Sequence, residues 1–143
     1  MSPLIAARVE AVSSVEEAVG DADVVVTAVP TPEPVLFDGM LKSEAHLSVV
    51  AGDPRTVQLA EDVLVNRPVL IDHAAQAEKS GDFLRYSGIR MVPFRDRTAT
   101  IGDAALGRLE HLRGQGCLTY FTGMAIQDLH AAYTFIQKRA LGT

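Results

Sequence analysis

A carboxylate held beside a glycine can reach a ligand and move a proton, and Gly52-Asp53 is such a pair. Pro54 follows, so an Asp-Pro turn is the competing reading, because aspartate favours turns through local hydrogen bonds. Asp72-His73 is a second candidate. Histidine is the natural proton shuttle near neutral pH, although neighbours in sequence often point apart. Thr27-Ala28 is a third, at the end of an apolar run. His46, His111 and His130 show no spacing that gathers metal ligands, so no metal site is predicted. Cys117 is the one cysteine, with no disulfide or C-x-x-C partner, and reads as a small buried hydrophobe. Gly114-x-Gly116 precedes a predicted strand, whereas a phosphate loop follows a strand and opens a helix, so it is set aside.

The elements that must position these residues follow a repeating rhythm. Arg8 to Val12 predicts a short strand, and Ser13 to Val19 a short helix opened by a Ser-x-x-Glu capping box. Gly20-Asp21-Ala22-Asp23 breaks that helix. Val24 to Val29 is a continuous apolar, β-branched run, predicting a strand buried on both faces as in a parallel sheet. Pro30, Pro32 and Pro34 make a rigid loop at its carboxyl end. His46 to Val50 predicts a third strand, stopped by Ala51-Gly52-Asp53-Pro54, and Thr56 is placed to cap a helix through Leu64. Pro68 to Asp72 predicts a fourth strand, and Ala74 to Leu84 a polar helical stretch weakened at Gly81. Pro93 to Arg97 reads as a loop, Ile101 to Leu112 as a helix, and Gly114 to Gly116 as a turn before the apolar Leu118 to Phe121. From Met124 the spacing of Ala125, Leu129, Ala132, Ile136 and Ala140 predicts a long amphipathic helix.

Strands alternating with helices predict right-handed βαβ units in an α/β fold. In such sheets ligands bind outside the carboxyl ends of the strands, where Thr27-Ala28, Ala51-Gly52-Asp53 and Asp72-His73 all fall. The 143 residues suffice for one core, so one domain is expected over 1–143. The net charge of -5 supplies no basic surface, which argues against a nucleic-acid partner. Apolar runs fall far short of the roughly 20 residues of a membrane helix, and Met1 to Ile5 shows no secretory leader; a cytoplasmic location is the expectation.

Three blocks carry a family likeness. Asp21 to Pro30, with Glu33 to Leu36 following, resembles the middle of the ornithine cyclodeaminase and mu-crystallin family. Ala45 to Asp53 resembles that family's block ending in Gly-Ala-Asp or Gly-Gly-Asp, and Thr122 to Leu129 resembles its C-terminal signature. The resemblance implies a partial Rossmann-like domain with a short parallel sheet of about four strands and a long C-terminal helix. It also implies an NAD(P) cofactor, a small amino acid or cyclic imine as substrate, and an acid/base aspartate at Asp53. His73 joins Asp53 as a candidate proton-transfer residue. By the same likeness Thr27 and Ala28 lie beside the cofactor, and Val50, Ala51 and Gly52 form a backbone wall against the nicotinamide.

The departures matter equally. Members of the family are more than twice as long, and their N-terminal half supplies the substrate-binding lysine and arginine and the glycine-rich phosphate turn. No G-x-G-x-x-G occurs here. Where the family often has a lysine, this chain has Thr56 and Val57, with Arg55 nearby; Phe121 stands where a small hydroxyl residue is usual. In a sheet ordered 3-2-1-4-5-6, a chain lacking strands one and two leaves an open edge beside Val24 to Val29. Direct pairing with Arg8 to Val12, a second copy of the chain in a dimer, or a complementary N-terminal chain would close it. Three functions follow: an imine reductase-like enzyme completed by assembly, a cofactor-free enzyme using Asp53, or a non-catalytic interaction module.

Overall fold

The structure, a computed structural model, describes residues 9–86 and 98–140. Five strands form one all-parallel sheet among them: β1 Val24–Thr27, β2 His46–Val50, β3 Val69–Ile71, β4 Thr98–Thr100 and β5 Leu118–Phe121. Their spatial order is β1-β2-β5-β3-β4, so the last strand returns to the centre between β2 and β3. All five carboxyl ends therefore lie along one edge of the sheet. The helices are α1 Val15–Val19, α2 Glu61–Asn66, α3 Ala74–Ala77, α4 Gly81–Tyr86, α5 Ile101–Ala105 and α6 Ala125–Ala140.

Strand register explains the core. Val25 pairs with Leu47, Leu47 with Leu118 and Leu118 with Val69, so these four point to one face, as do Val49, Tyr120 and Ile71 two residues on. Leu36, Leu59, Val63, Ala77 and Phe83 close over that face, each nearly or wholly buried. Burying a side chain of this size contributes about 1.5–3 kcal/mol, so this layer dominates the stability. The Phe83 and Tyr120 rings meet tilted at 60° with centroids 4.7 Å apart.

The opposite face is only partly covered. Leu70 and Thr119 are buried, but Val24 and Val26 are 62% and 68% exposed. The continuous β1 run predicts burial on both faces; among the described residues only one face finds a covering layer. No strand forms at Val9 to Val12, which are exposed and irregular, while Arg8 lies outside the described residues. Among the described residues β1 pairs with β2 alone, so its other edge stays open.

Other local expectations divide by whether the backbone had a competing partner. Ser14 caps α1, accepting the Glu17 amide at 3.1 Å, and the Glu17 carboxylate returns to Ser13. Thr56 caps nothing. The Gln58 and Leu59 amides donate to Asp82 and the Ala60 amide to Leu36, so the segment stays extended until α2 begins at Glu61. Gly81 opens α4 rather than merely weakening a helix, and a Cβ there would collide with the Thr56 carbonyl. The helix expected from Ile101 to Leu112 ends at Ala105, with Leu106 as its cap, and Gly107 follows at φ 71°. The strand β4 had no periodic signal, and Pro93 to Arg97 lie outside the described residues. The helix α6 forms as expected, but every position from Ala125 to Arg139 is exposed, including its apolar stripe.

The core is tied by one buried carboxylate. Asp82 is fully buried; its Oδ1 accepts the Gln58 and Leu59 amides at 2.8 Å each, and its Oδ2 accepts the Tyr120 hydroxyl at 2.8 Å. Desolvation pushes its carboxyl pKa up, against the three hydrogen bonds. Replacing Asp82 with Leu should cost about 3 kcal/mol or more, because three buried donors lose their acceptor. Asp82→Asn keeps an acceptor for both amides and should cost less than about 1.5 kcal/mol. A raised folded pKa adds stability below the unfolded value of about 3.9 and loses it as pH rises through the folded value. Urea denaturation should therefore show a smaller wild-type to Asn difference at pH 7 than at pH 4; an unchanged difference would contradict the raised pKa.

Candidate functional site

The carboxyl ends of β1, β2, β3 and β5 bring the sequence candidates to one edge. At the end of β1, Thr27 is buried and donates its hydroxyl to Gln58 Oε1 at 2.6 Å, whereas Ala28 is exposed. At the end of β2, Val50 is 51% exposed and Ala51 is buried, its amide donating to the Phe121 carbonyl at 2.9 Å. Gly52 passes so close to the neighbouring chain that a Cβ would stand 2.6 Å from the Thr122 carbonyl oxygen. Only glycine permits that approach.

Asp53 is exposed and engaged. Its Oδ1 accepts the Arg55 amide at 2.8 Å and Arg55 Nε at 3.1 Å, and its Oδ2 accepts Arg55 Nη2 at 2.8 Å. The turn and the acid are thus one residue. The Arg55 side-chain bonds, with the backbone bond beside them, hold the Asp53 carboxyl down at about 2. In this state Asp53 is a carboxylate of low basicity, and accepting a proton efficiently requires Arg55 to swing away. Both partners are solvent-exposed, so that release is cheap.

At the end of β3, Asp72 turns toward β5 instead of toward the imidazole of His73. Its carboxylate accepts the Thr122 amide and hydroxyl at 2.8 Å each, the Gly123 amide at 3.0 Å and the His73 backbone amide at 2.8 Å. It fastens the turn from β5 into α6, where Gly123 has φ 81°. The ring of His73 is exposed at the N-cap of α3, with no hydrogen-bond partner among the described residues. Phe121 is half-buried at the end of β5.

Three buried polar residues outside the sequence candidates organise the sheet, two of them beneath the site. Gln58 and Asp82 are fully buried beneath it, and Arg67, also buried, binds Asp38 and the Lys42 and Ala45 carbonyls at the sheet's other end. Their one sequence signal is a polar side chain inside an apolar neighbourhood, as in Val57-Gln58-Leu59-Ala60. At that other end His46 Nδ1 lies 3.1 Å from Cys117 Sγ, and its Nε2 3.2 Å from Thr119 Oγ1. Burial pushes the imidazole pKa down and the thiol pKa up, which keeps this pair neutral. Among the described residues no cluster of three His, Cys, Asp or Glu could hold a metal ion, and no helix is long and apolar enough to cross a membrane.

Of the described residues a dinucleotide would need a surface for its ring and an anchor for its pyrophosphate. At the β2 end Val50 and Gly52 are exposed, with the Thr122 carbonyl filling the Cβ direction of Gly52. The pyrophosphate half has no counterpart among the described residues, because no described strand leads through a glycine-rich turn into a helix.

An all-parallel α/β sheet with its candidate residues at the strand ends defines a Rossmann-like class of protein, and comparison with known proteins narrows it. The sequence model of the ornithine cyclodeaminase/mu-crystallin family matches residues 3–143, and the chain belongs to that family. The ketimine reductase mu-crystallin of Rattus norvegicus is 31% identical over 120 residues, 84% of this chain and 37% of that protein. The alanine dehydrogenase of Archaeoglobus fulgidus is 28% identical over 113 residues, 77% and 35% of the two chains. The chain thus spans little more than a third of these relatives. Among solved structures, an archaeal alanine dehydrogenase dimer with bound NAD superposes with TM-score 0.72 at 24% identity, over 93% of this chain and 42% of that one. Thermococcus litoralis Δ1-pyrroline-2-carboxylate reductase in complex with NADH and L-proline gives 0.74 at 18% identity, over 92% and 42%. These likenesses establish the fold.

The Asp53–Arg55 pair generates a direct test. Asp53's carboxyl carbon, followed by NMR against pH, should titrate at about 2 in the wild type. In Arg55→Ala the midpoint should rise toward the ordinary aspartate value of about 3.9. The folded-state stability linked to this depressed pKa is present above the unfolded value and lost as pH falls toward 2. Coincident midpoints in the two proteins would remove Arg55 as the cause.

Proposed function

We propose that this chain is the acid/base half of an ornithine cyclodeaminase or imine reductase-like enzyme acting on a small amino acid or cyclic imine. One observation carries the reading: Gly52-Asp53 sits at the carboxyl end of a central-sheet strand, in a chain that belongs to this family over residues 3–143. In it Asp53 gives a proton to, or takes one from, the substrate's nitrogen or adjacent carbon once Arg55 has released it. His73, exposed at the neighbouring strand end, is the second candidate for proton transfer. Thr27, Ala28, Val50, Ala51 and Gly52 would form the wall against a bound nicotinamide ring. A bound nicotinamide supplies or accepts the hydride.

The site is completed by another polypeptide segment, from a second copy or a complementary N-terminal chain. Support comes from the open edge and bare face of β1, and from Ile126, Leu129, Tyr133 and Ile136, all exposed on α6. The same exposed surfaces, with Asp53 held by Arg55, favour one alternative: a non-catalytic interaction module derived from the family.

Two measurements test this reading. Titrating the chain alone with NADH, followed by fluorescence or calorimetry, should show weak binding or none, because the sequence holds no G-x-G-x-x-G turn to receive a pyrophosphate. Low-micromolar affinity would reveal a phosphate site that this reading does not contain. In the completed enzyme, Asp53→Asn keeps the turn but removes the ionisable proton, so turnover should fall by about 10²- to 10⁴-fold with melting temperature and oligomer size preserved. Full activity in that variant would make Asp53 structural, whereas absence of turnover in every completed assembly would leave the interaction module as the better account.

A further inference from the structure

We propose that Gln58 is the positioning residue of the candidate site, its carboxamide fixing the ends of β1 and β2 relative to each other. The two strands are paired from Val24 with His46 to Thr27 with Val49, and beyond that register their chains diverge. Gln58 fills the divergence. Its Oε1 accepts the Thr27 hydroxyl at 2.6 Å and the Val29 amide at 3.0 Å, both from the β1 end. Its Nε2 donates to the Val50 carbonyl at 3.0 Å, from the β2 end. One end offers two donors and the other an acceptor, so a carboxamide serves both with a single orientation.

The bridge is rigid because its own backbone is held. Gln58 is fully buried, its amide donates to Asp82 Oδ1 at 2.8 Å, and its carbonyl accepts the Val35 and Leu36 amides at 3.0 Å each. Tyr120, on β5, anchors Asp82 in turn. Three strands are thus referred to one buried side-chain pair, and Thr27, Val50 and the Gly52-Asp53 turn inherit their spacing from it. The functional meaning rests on reading these strand ends as the wall of the site; the geometry does not. Gln58 touches no reacting atom in this arrangement and acts only through its neighbours.

The test is amide hydrogen exchange by NMR on the full chain, without any nicotinamide, so that it succeeds or fails independently of the cofactor reading. In Gln58→Met, which keeps length and burial but bridges nothing, the Val29 amide should exchange faster by about tenfold more than the Leu47 amide does. Leu47 donates to the Cys117 carbonyl near the far end of the sheet and reports general destabilisation. Backbone shifts of Ala51, Gly52 and Asp53 should move while those of Leu47 and Leu118 stay. Equal acceleration at Val29 and Leu47, with no selective shift at Gly52 and Asp53, would make Gln58 an ordinary stability residue and overturn the proposal. Should Gln58→Met fail to fold, Thr27→Val removes one bond of the bridge and should accelerate Val29 over Leu47 by about threefold. A ratio of one there would also overturn it.

Discussion

A carboxylate in an apolar core must be satisfied from all sides or it destabilises the fold, and Asp82 meets that demand by gathering three donors from two distant parts of the chain. Two amides come from the extended stretch after β2, and a hydroxyl comes from the central strand β5. The stretch from Asp53 to Ala60 is therefore not free to become a helix. Because it stays extended, Gln58 arrives beneath the strand ends, and the turn at Gly52-Asp53 is presented outward. The edge that carries the candidate chemistry is a consequence of where one buried charge finds its donors.

The second constraint is incompleteness. A parallel sheet needs layers on both faces and protected edges, and the described residues supply one full layer. Val24, Val26 and the apolar stripe of α6 stay exposed among them. Among the described residues nothing buries α6, and its ends suit the helix dipole, with Asp128 in the first turn and Lys138 and Arg139 in the last. The chain spans 37% of the length of a relative such as the rat ketimine reductase mu-crystallin.

Under the proposed function, Asp53 serves as turn residue and acid/base residue with one side chain. The Arg55 fork that stabilises the turn also holds the carboxyl at about 2, so structure and proton chemistry compete for one group. An exposed ion pair is weak enough to be broken by a ligand, and that makes the competition reversible.

Sequence alone determined the features set by local chemistry and periodicity. The β-branched run at Val24, the strands at His46 and Val69, the Ser14 cap, the long C-terminal helix and the Gly52-Asp53 turn were legible because each is encoded within a few residues. Three blocks of residues also carried the family likeness to the end of the chain. Tertiary structure decided what depends on distant partners: that β5 enters between β2 and β3, that Thr56 caps nothing, and that Asp72 serves Thr122 and Gly123. It also decided which apolar residues stay exposed, since Val26 reads as core until the covering layer proves absent from the described chain. Gln58 and Asp82 lay beyond sequence reading for the same reason. A buried polar side chain is meaningful only through the donors and acceptors that folding brings to it, and for Gln58 and Asp82 those stand 8 to 38 residues away along the chain.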